Sequence, residues 1–179
     1  MLRRFYLVAL RAAARDLWGE TAETAIVAAI PQRERDEILD PRRPDWISER
    51  VIVSYGLATW EGPAGRDRPT MHKFLRRHVD HGFGRVRRFL LRVAPPARFF
   101  EKIPTYWRQD HSHGVVEARV EPGLGVVELR DHPYAETVHM RTGIAEIFRY
   151  TVSLMRARNV TETHALTSDG ALVMRIRWE

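Results

Sequence analysis

A chain of 179 residues is long enough to hide about 70% of its unfolded surface and so to build a core without staples. It contains no cysteine, which excludes disulfides, thiolate metal sites and thiol nucleophiles. The formal net charge is +6, and Lys73 and Lys102 are its only lysines; such an arginine skew is typical of a GC-rich genome and speaks to solubility more than to a nucleic-acid substrate.

The start, Met1 to Leu10, imitates a signal peptide, but Arg11 and Arg15 interrupt the apolar run. No segment approaches the roughly 18 to 20 apolar residues that span a bilayer, so a cytoplasmic location is expected. Met1 to Trp18 has helical spacing, with Phe5, Ala9, Ala12 and Ala13 in one stripe extended by Leu2 and Leu17, and Gly19 breaks it. Thr21 to Ile30 reads as a second helix stopped by Pro31, because proline keeps the preceding residue out of the helical region. Glu34 to Leu39 adds a turn or two before Asp40-Pro41.

Ser48 is the expected N-cap of the next helix, with Ile47 and Ile52 as a staple. Val51, Ile52, Tyr55 and Thr59 suit that helix, and Glu61 to Pro69 reads as an exposed loop. The longest helix spans about Thr70 to Val93, its buried stripe being Met71, Leu75, His78, Val79, Gly82, Val86, Phe89, Leu90 and Val93. Arg76, Arg77, Arg85, Arg87, Arg88 and Arg92 face elsewhere. Pro95-Pro96 stops it, and a short helix over Ala97 to Lys102 leads to Pro104, Tyr106 and Trp107.

The period then changes. Val116, Ala118 and Val120 alternate with charged residues, as in a half-buried strand. Pro122 to Gly125 is the turn, and Val127 and Leu129 resume the buried face. A helix over about Ala135 to Arg158 carries Ile144, Ile147, Phe148, Thr151 and Met155 on one side. Val160 to Leu166 and Leu172 to Trp178 flank Ser168-Asp169-Gly170, a hairpin signal. The expected fold is α+β: a helical N-terminal half packed on a small antiparallel sheet of two C-terminal hairpins separated by a helix. With no linker or repeat in view, residues 1–179 read as a single domain.

Certain punctuation recurs in a telling order: Gly19-Glu20 before a helix ending at Ile30-Pro31, then Trp46-Ile47, then the long helix into Ala94-Pro95-Pro96. Ile103-Pro104-Thr105-Tyr106-Trp107, Gly114, Val160-Thr161 and Asp169-Gly170 to Arg177-Trp178 complete it. This order resembles the vinyl-4-reductase-type sensor domains, especially their relatives in GC-rich bacteria. Their wider superfamily includes haem nitric-oxide-binding domains and vesicle-tethering subunits. The resemblance implies helices around a small antiparallel sheet, a homodimer, and an interior cavity for a small aromatic molecule, a tetrapyrrole or an acyl chain. It does not choose among these. Some sensor members hold zinc through cysteines near the final hairpin; here His164 and Leu172 stand near those positions, so that site does not carry over.

The ligand-pocket candidates are His78, Phe89, Tyr106, Trp107, Ile147 and Phe148. His78 alone among His72, His78 and His81 lies squarely on the apolar stripe, as a structural histidine or an axial haem ligand would. The tyrosine, serine and arginine pattern that holds haem propionates in related domains is not recognisable, and no cofactor is expected. His111, His113 and His132 are the metal candidates: a four-residue turn places 132 opposite 115, diagonal to 113, with Glu117 or water completing a shell. An ordinary polar hairpin face is the preferred reading, since the spacing matches no known zinc motif.

Glu162 and His164 are buried together if Val160 and Leu166 face inward. The opposite register buries Thr161, Thr163 and Ala165, and desolvation cost favours it. The arginine face of the long helix suits solvent or a protein partner better than nucleic acid, because no aromatic residues interleave it. No phosphate loop, dinucleotide turn, nucleophile elbow or zincin helix is present, although a triad assembled from distant residues would escape such a search. The leading expectation is a non-catalytic ligand-binding sensor or adaptor acting as a homodimer. The alternatives are a metal- or haem-dependent gas sensor or enzyme, and nucleic-acid binding.

Overall fold

The computed structural model describes residues 1–40 and 45–179, and of residues 85–87 the backbone alone. Pro41 and the side chains of Arg85, Val86 and Arg87, each part of the expectations above, therefore lie outside what is described. The chain divides into two units, Met1–Gly82 and Phe83–Glu179.

In the first unit, β1 (Leu2–Arg3) pairs antiparallel with β2 (Trp46–Ile47), a ladder too short to show a period in sequence. The first helix, α1 (Phe5–Ala29), consequently starts later than expected. Gly19 breaks its path at φ 85°, in the left-handed region that glycine enters freely. Ile30, extended before Pro31, ends it. Before Gly19 the buried residues are Leu7, Ala9, Leu10, Ala13 and Ala14, while Phe5 is exposed and Ala12 half-buried, so the stripe is rotated from the expected one. Its partners include α3 (Glu49–Glu61) of the same unit. Leu7 and Ala9 are thus buried against intramolecular neighbours.

Helix α2 (Gln32–Leu39) buries Ile38. Ser48 caps α3 by accepting a hydrogen bond from Arg50 N–H, and Val51, Tyr55 and Thr59 form its buried stripe. Ile52, the expected staple residue, is half-buried. The following loop is not wholly exposed, since Ala64 is buried. Asp67 caps α4 (Arg68–Val93), accepting from both Thr70 N–H and Thr70 Oγ1–H; those bonds hold its carboxyl below the usual range. Within the first unit α4 buries Phe74, Leu75, His78 and Val79.

At Gly84 (φ 60°, ψ 178°) α4 breaks. Continuous periodicity across residue 84 had suggested one uninterrupted helix, but glycine admits a backbone that periodicity does not reveal. Beyond the break Phe89, Leu90 and Val93 are exposed rather than buried.

Helix α5 (Pro96–Asp110) begins with proline in its first turn, where the missing N–H costs nothing, and runs through Pro104 instead of ending before it. Burial of Phe100, Ile103 and Trp107 at helical spacing outweighs the hydrogen bond that Pro104 forgoes. Strands β3 (Val115–Glu121) and β4 (Leu124–Arg130) are joined by Pro122-Gly123 alone, because Glu121 pairs with Leu124. The turn is two residues, not four, and it sets a different register from the one expected. Val120, at the hairpin tip, is exposed.

Helix α6 (Val138–Ser153) is shorter at both ends than its periodicity suggested. Strands β5 (Thr161–Leu166) and β6 (Leu172–Arg177) complete an antiparallel sheet of order β3-β4-β6-β5. Val127, Leu129, Leu172, Met174 and Ile176 are buried on its two central strands, and α5 and α6 pack on it. The architecture is α+β, with helices preceding and interrupting two hairpins.

Gly125 leaves no room for a side chain. A Cβ there would lie 2.3 to 2.5 Å from three carbons of the Phe100 ring. Gly125→Ala should destabilise the fold by about 1 to 3 kcal/mol through overpacking. Adding Phe100→Leu should recover part of that loss; denaturant titration of the single and double variants measures both.

Candidate functional site

His78 projects from the buried face of α4 and is 5% exposed. Its ring lies near that of Tyr6, with centroids 6.1 Å apart. Nδ1 is buried and has no hydrogen-bond partner among the described residues. Burial, with a smaller contribution from His81, pushes the pKa down to about 4. The imidazole is therefore neutral near pH 7 and keeps an unshared lone pair.

A second polar atom in this unit is similarly stranded. The Tyr55 side chain is fully buried on α3, and its hydroxyl lacks a partner among the described residues. Burial, then the charge of Glu23, raises its pKa above the ordinary range. Glu23 is itself held by Arg11, at 2.6 and 3.3 Å, and by Arg15 at 3.6 Å. Leaving a buried donor or acceptor unsatisfied costs about 1 to 3 kcal/mol. Arg35 Nε of this unit is likewise buried without a partner among the described residues, and atoms of this kind are where a ligand or water would be held. Tyr55 was read in sequence as core alone; a tyrosine on an otherwise apolar stripe was the available signal.

The other pocket candidates do not converge. Phe89 and Tyr106 stand at the surface, 63% and 52% exposed. Trp107 and Phe148 belong to the core of the second unit, and Ile147 is half-buried. Aromatic rings occupy that core: Phe99 contacts Phe100 and Phe148, and Phe100 stacks on Trp178. A surface cleft of about 340 Å³ is lined by Pro95, Pro96, Ala97, Val120, Glu121, Pro122, Gly123 and Trp178, none of them a predicted pocket residue.

The metal candidates are rearranged by the shorter turn. Val115 pairs with Arg130, so extending the register brings 113, not 115, opposite 132. The rings of His113 and His132 lie 5.5 Å apart. His111 is the C-cap of α5 and stacks on Trp107 at 3.7 Å. Glu117 is exposed farther along β3, across from Glu128.

The register of β5 is also the less expected one. Glu162, His164 and Leu166 pair with Ile176, Met174 and Leu172 and share their inward face. The desolvation cost is met locally by a hydrogen bond between His164 Nδ1 and Glu162 Oε1. On α6, Glu146 is almost wholly buried and gripped by Arg149 at 2.7 and 2.8 Å. That grip is the main cause raising the Arg149 pKa, and Glu162 adds to it. Of the arginine face, Arg77 pairs with Asp16 at 3.4 Å, and Arg76 and Arg92 are exposed.

The fold is that of the H-NOX domains. An unliganded Fe(II) H-NOX protein from K. algicida superposes with a TM-score of 0.67 at 8% identity, covering 99% of this chain and 97% of that one. An Fe(II) H-NOX protein from S. oneidensis, a triple mutant, gives 0.67 at 9% identity over 99% and 96%. An oxygen-binding H-NOX domain related to soluble guanylate cyclases, in its oxygen complex, gives 0.61 at 11% identity over 97% and 93%. No protein-family model matches the sequence, and no curated protein matches it. Among the described residues no helix is long and apolar enough to cross a membrane.

The burial of His78 has a pH signature. Its folded pKa of about 4 lies below the ordinary 6.5, so between these values the unfolded chain binds the proton and the folded one does not. Stability is complete above about pH 6.5 and falls as the pH drops towards 4, by on the order of 3 kcal/mol from this group. His78→Leu should flatten that slope without lowering stability at pH 7; urea titrations at several pH values test it.

Proposed function

We propose that this chain is a ligand-sensing domain built on the H-NOX fold, in which His78 meets a haem or comparable metal-centred ligand. One observation carries the reading: a buried, neutral imidazole whose Nδ1 finds no partner among the described residues. A haem iron needs a neutral imidazole with a lone pair to spare, and His78 fits that requirement. The likeness to structures described as Fe(II) and oxygen-bound H-NOX proteins supports the same ligand class. Haem, when bound, supplies an iron atom that takes a diatomic gas. The tyrosine, serine and arginine pattern expected at the propionates is missing, so the proposal rests on the axial position alone.

We read the two units as parts of one sensor domain, since the likeness extends over 99% of the chain. Homodimerisation belongs to the proposal too, with its surface at the exposed Phe5 and Val8, one helical turn apart on α1. Val8→Arg should then leave folding intact and shift the protein to monomer in sedimentation. A wild type that is monomeric across micromolar concentrations contradicts the dimer.

The ligand is tested by adding haemin to the purified chain and following the absorbance near 400 nm, on the order expected for iron porphyrins. The wild type should bind one equivalent with a shifted band, and His78→Leu should bind at least tenfold more weakly. A spectrum equal to that of free haemin, or one that His78→Leu leaves unchanged, overturns the reading.

A further inference from the structure

We propose that His113 and His132 form a second, independent site in the second unit, one that takes a first-row transition-metal ion such as zinc. Both side chains stand just beyond the open end of the β3–β4 hairpin, whose last pair is Val115 with Arg130. Their ligand nitrogens lie within 4.8 Å of one another. Two imidazole nitrogens about 2.0 to 2.1 Å from one tetrahedral ion sit a little over 3 Å apart, so small rotations of the two rings close the remaining gap.

The surroundings hold the pair in place. Trp107 Nε1–H donates to the His113 carbonyl at 3.1 Å and fixes the backbone where it enters β3. Gly114, at φ 80°, leaves the space in which the His132 ring lies; a Cβ there would come within 3.3 Å of His132 Cδ2 and 2.9 Å of Leu129 Cδ1. His132 is buried, and Trp107 approaches it edge-on with centroids 5.8 Å apart. Ser112 Oγ lies 3.2 Å from His113 Nδ1; as an acceptor it would hold the proton on Nδ1 and make Nε2 the ligating nitrogen, as second-sphere groups do at metal sites.

One contact opposes the metal. Tyr134 N–H donates to His132 Nδ1 at 3.3 Å, so coordination through Nε2 requires the proton to move to Nδ1 and this long hydrogen bond to be given up. With two protein imidazoles, water in the remaining positions and that cost, the affinity is micromolar, weaker than a closed structural zinc site. The site has a different ligand class and a different unit from His78, so neither proposal stands on the other.

Calorimetric titration of the tag-free full chain with zinc chloride tests it. The wild type should bind one ion per chain with micromolar Kd. His113→Ala and His132→Asn should each weaken binding at least tenfold, while His78→Leu and His81→Ala leave it unchanged. Zinc should also raise the wild-type Tm, because it binds only the folded chain, and that rise should vanish in His113→Ala. His113 is half-buried, so its variant keeps the test decisive if His132→Asn fails to fold. Absence of binding in the wild type, or binding that survives His113→Ala, overturns the proposal.

Discussion

The Phe100 ring occupies the volume that a side chain at position 125 would need, and much of the second unit follows from that contact. It brings α5 onto the β3–β4 hairpin at backbone distance, which only glycine on the strand permits. Ile103 and Trp107 then fall on the same buried face of α5, and Trp107 reaches the chain entering β3. Substituting Phe100 or Gly125 would therefore disturb more than local packing, because the placement of the three hairpin-end histidines descends from it.

Both units bury polar groups. In the second, carboxylates that enter the interior bring partners: Glu146 with Arg149, and Glu162 with His164. Such pairs contribute little net stability, but removing one member leaves the other uncompensated. In the first, Glu23 is paired with Arg11 and Arg15, whereas His78 Nδ1, the Tyr55 hydroxyl and Arg35 Nε are left unsatisfied among the described residues. Stable folds satisfy nearly all buried polar atoms. An exception within an otherwise well-paired core is a physical reason to expect function, and it is the reason His78 stands at the centre of this account.

Much of the architecture was legible because burial imposes periods. The break at Gly19, the stop at Pro31, the cap at Ser48 and the alternation in β6 each follow from one local rule, and each is observed. What escaped the sequence depended on distant partners. The β1–β2 ladder joins residues more than forty positions apart, and two residues leave no pattern. Pro104 signals an end that tertiary burial overrides, and Gly84 breaks a helix whose pattern runs on. Glu162 and His164 satisfy each other by a hydrogen bond on the inward face, which a single-residue desolvation cost omits. The His78 position was visible as a lone histidine on an apolar stripe. That Nδ1 would lack a partner was not, since the environment of a buried atom is assembled from other helices.

The central claim is that His78 contacts a bound small molecule in the functional protein. Native mass spectrometry of the chain as purified from a haem-producing host, compared with the same sample denatured, addresses it most directly. The account predicts a non-covalent mass that leaves on denaturation and that His78→Leu loses while staying folded. A wild type whose native mass equals the polypeptide alone, even after incubation with haemin, would contradict it.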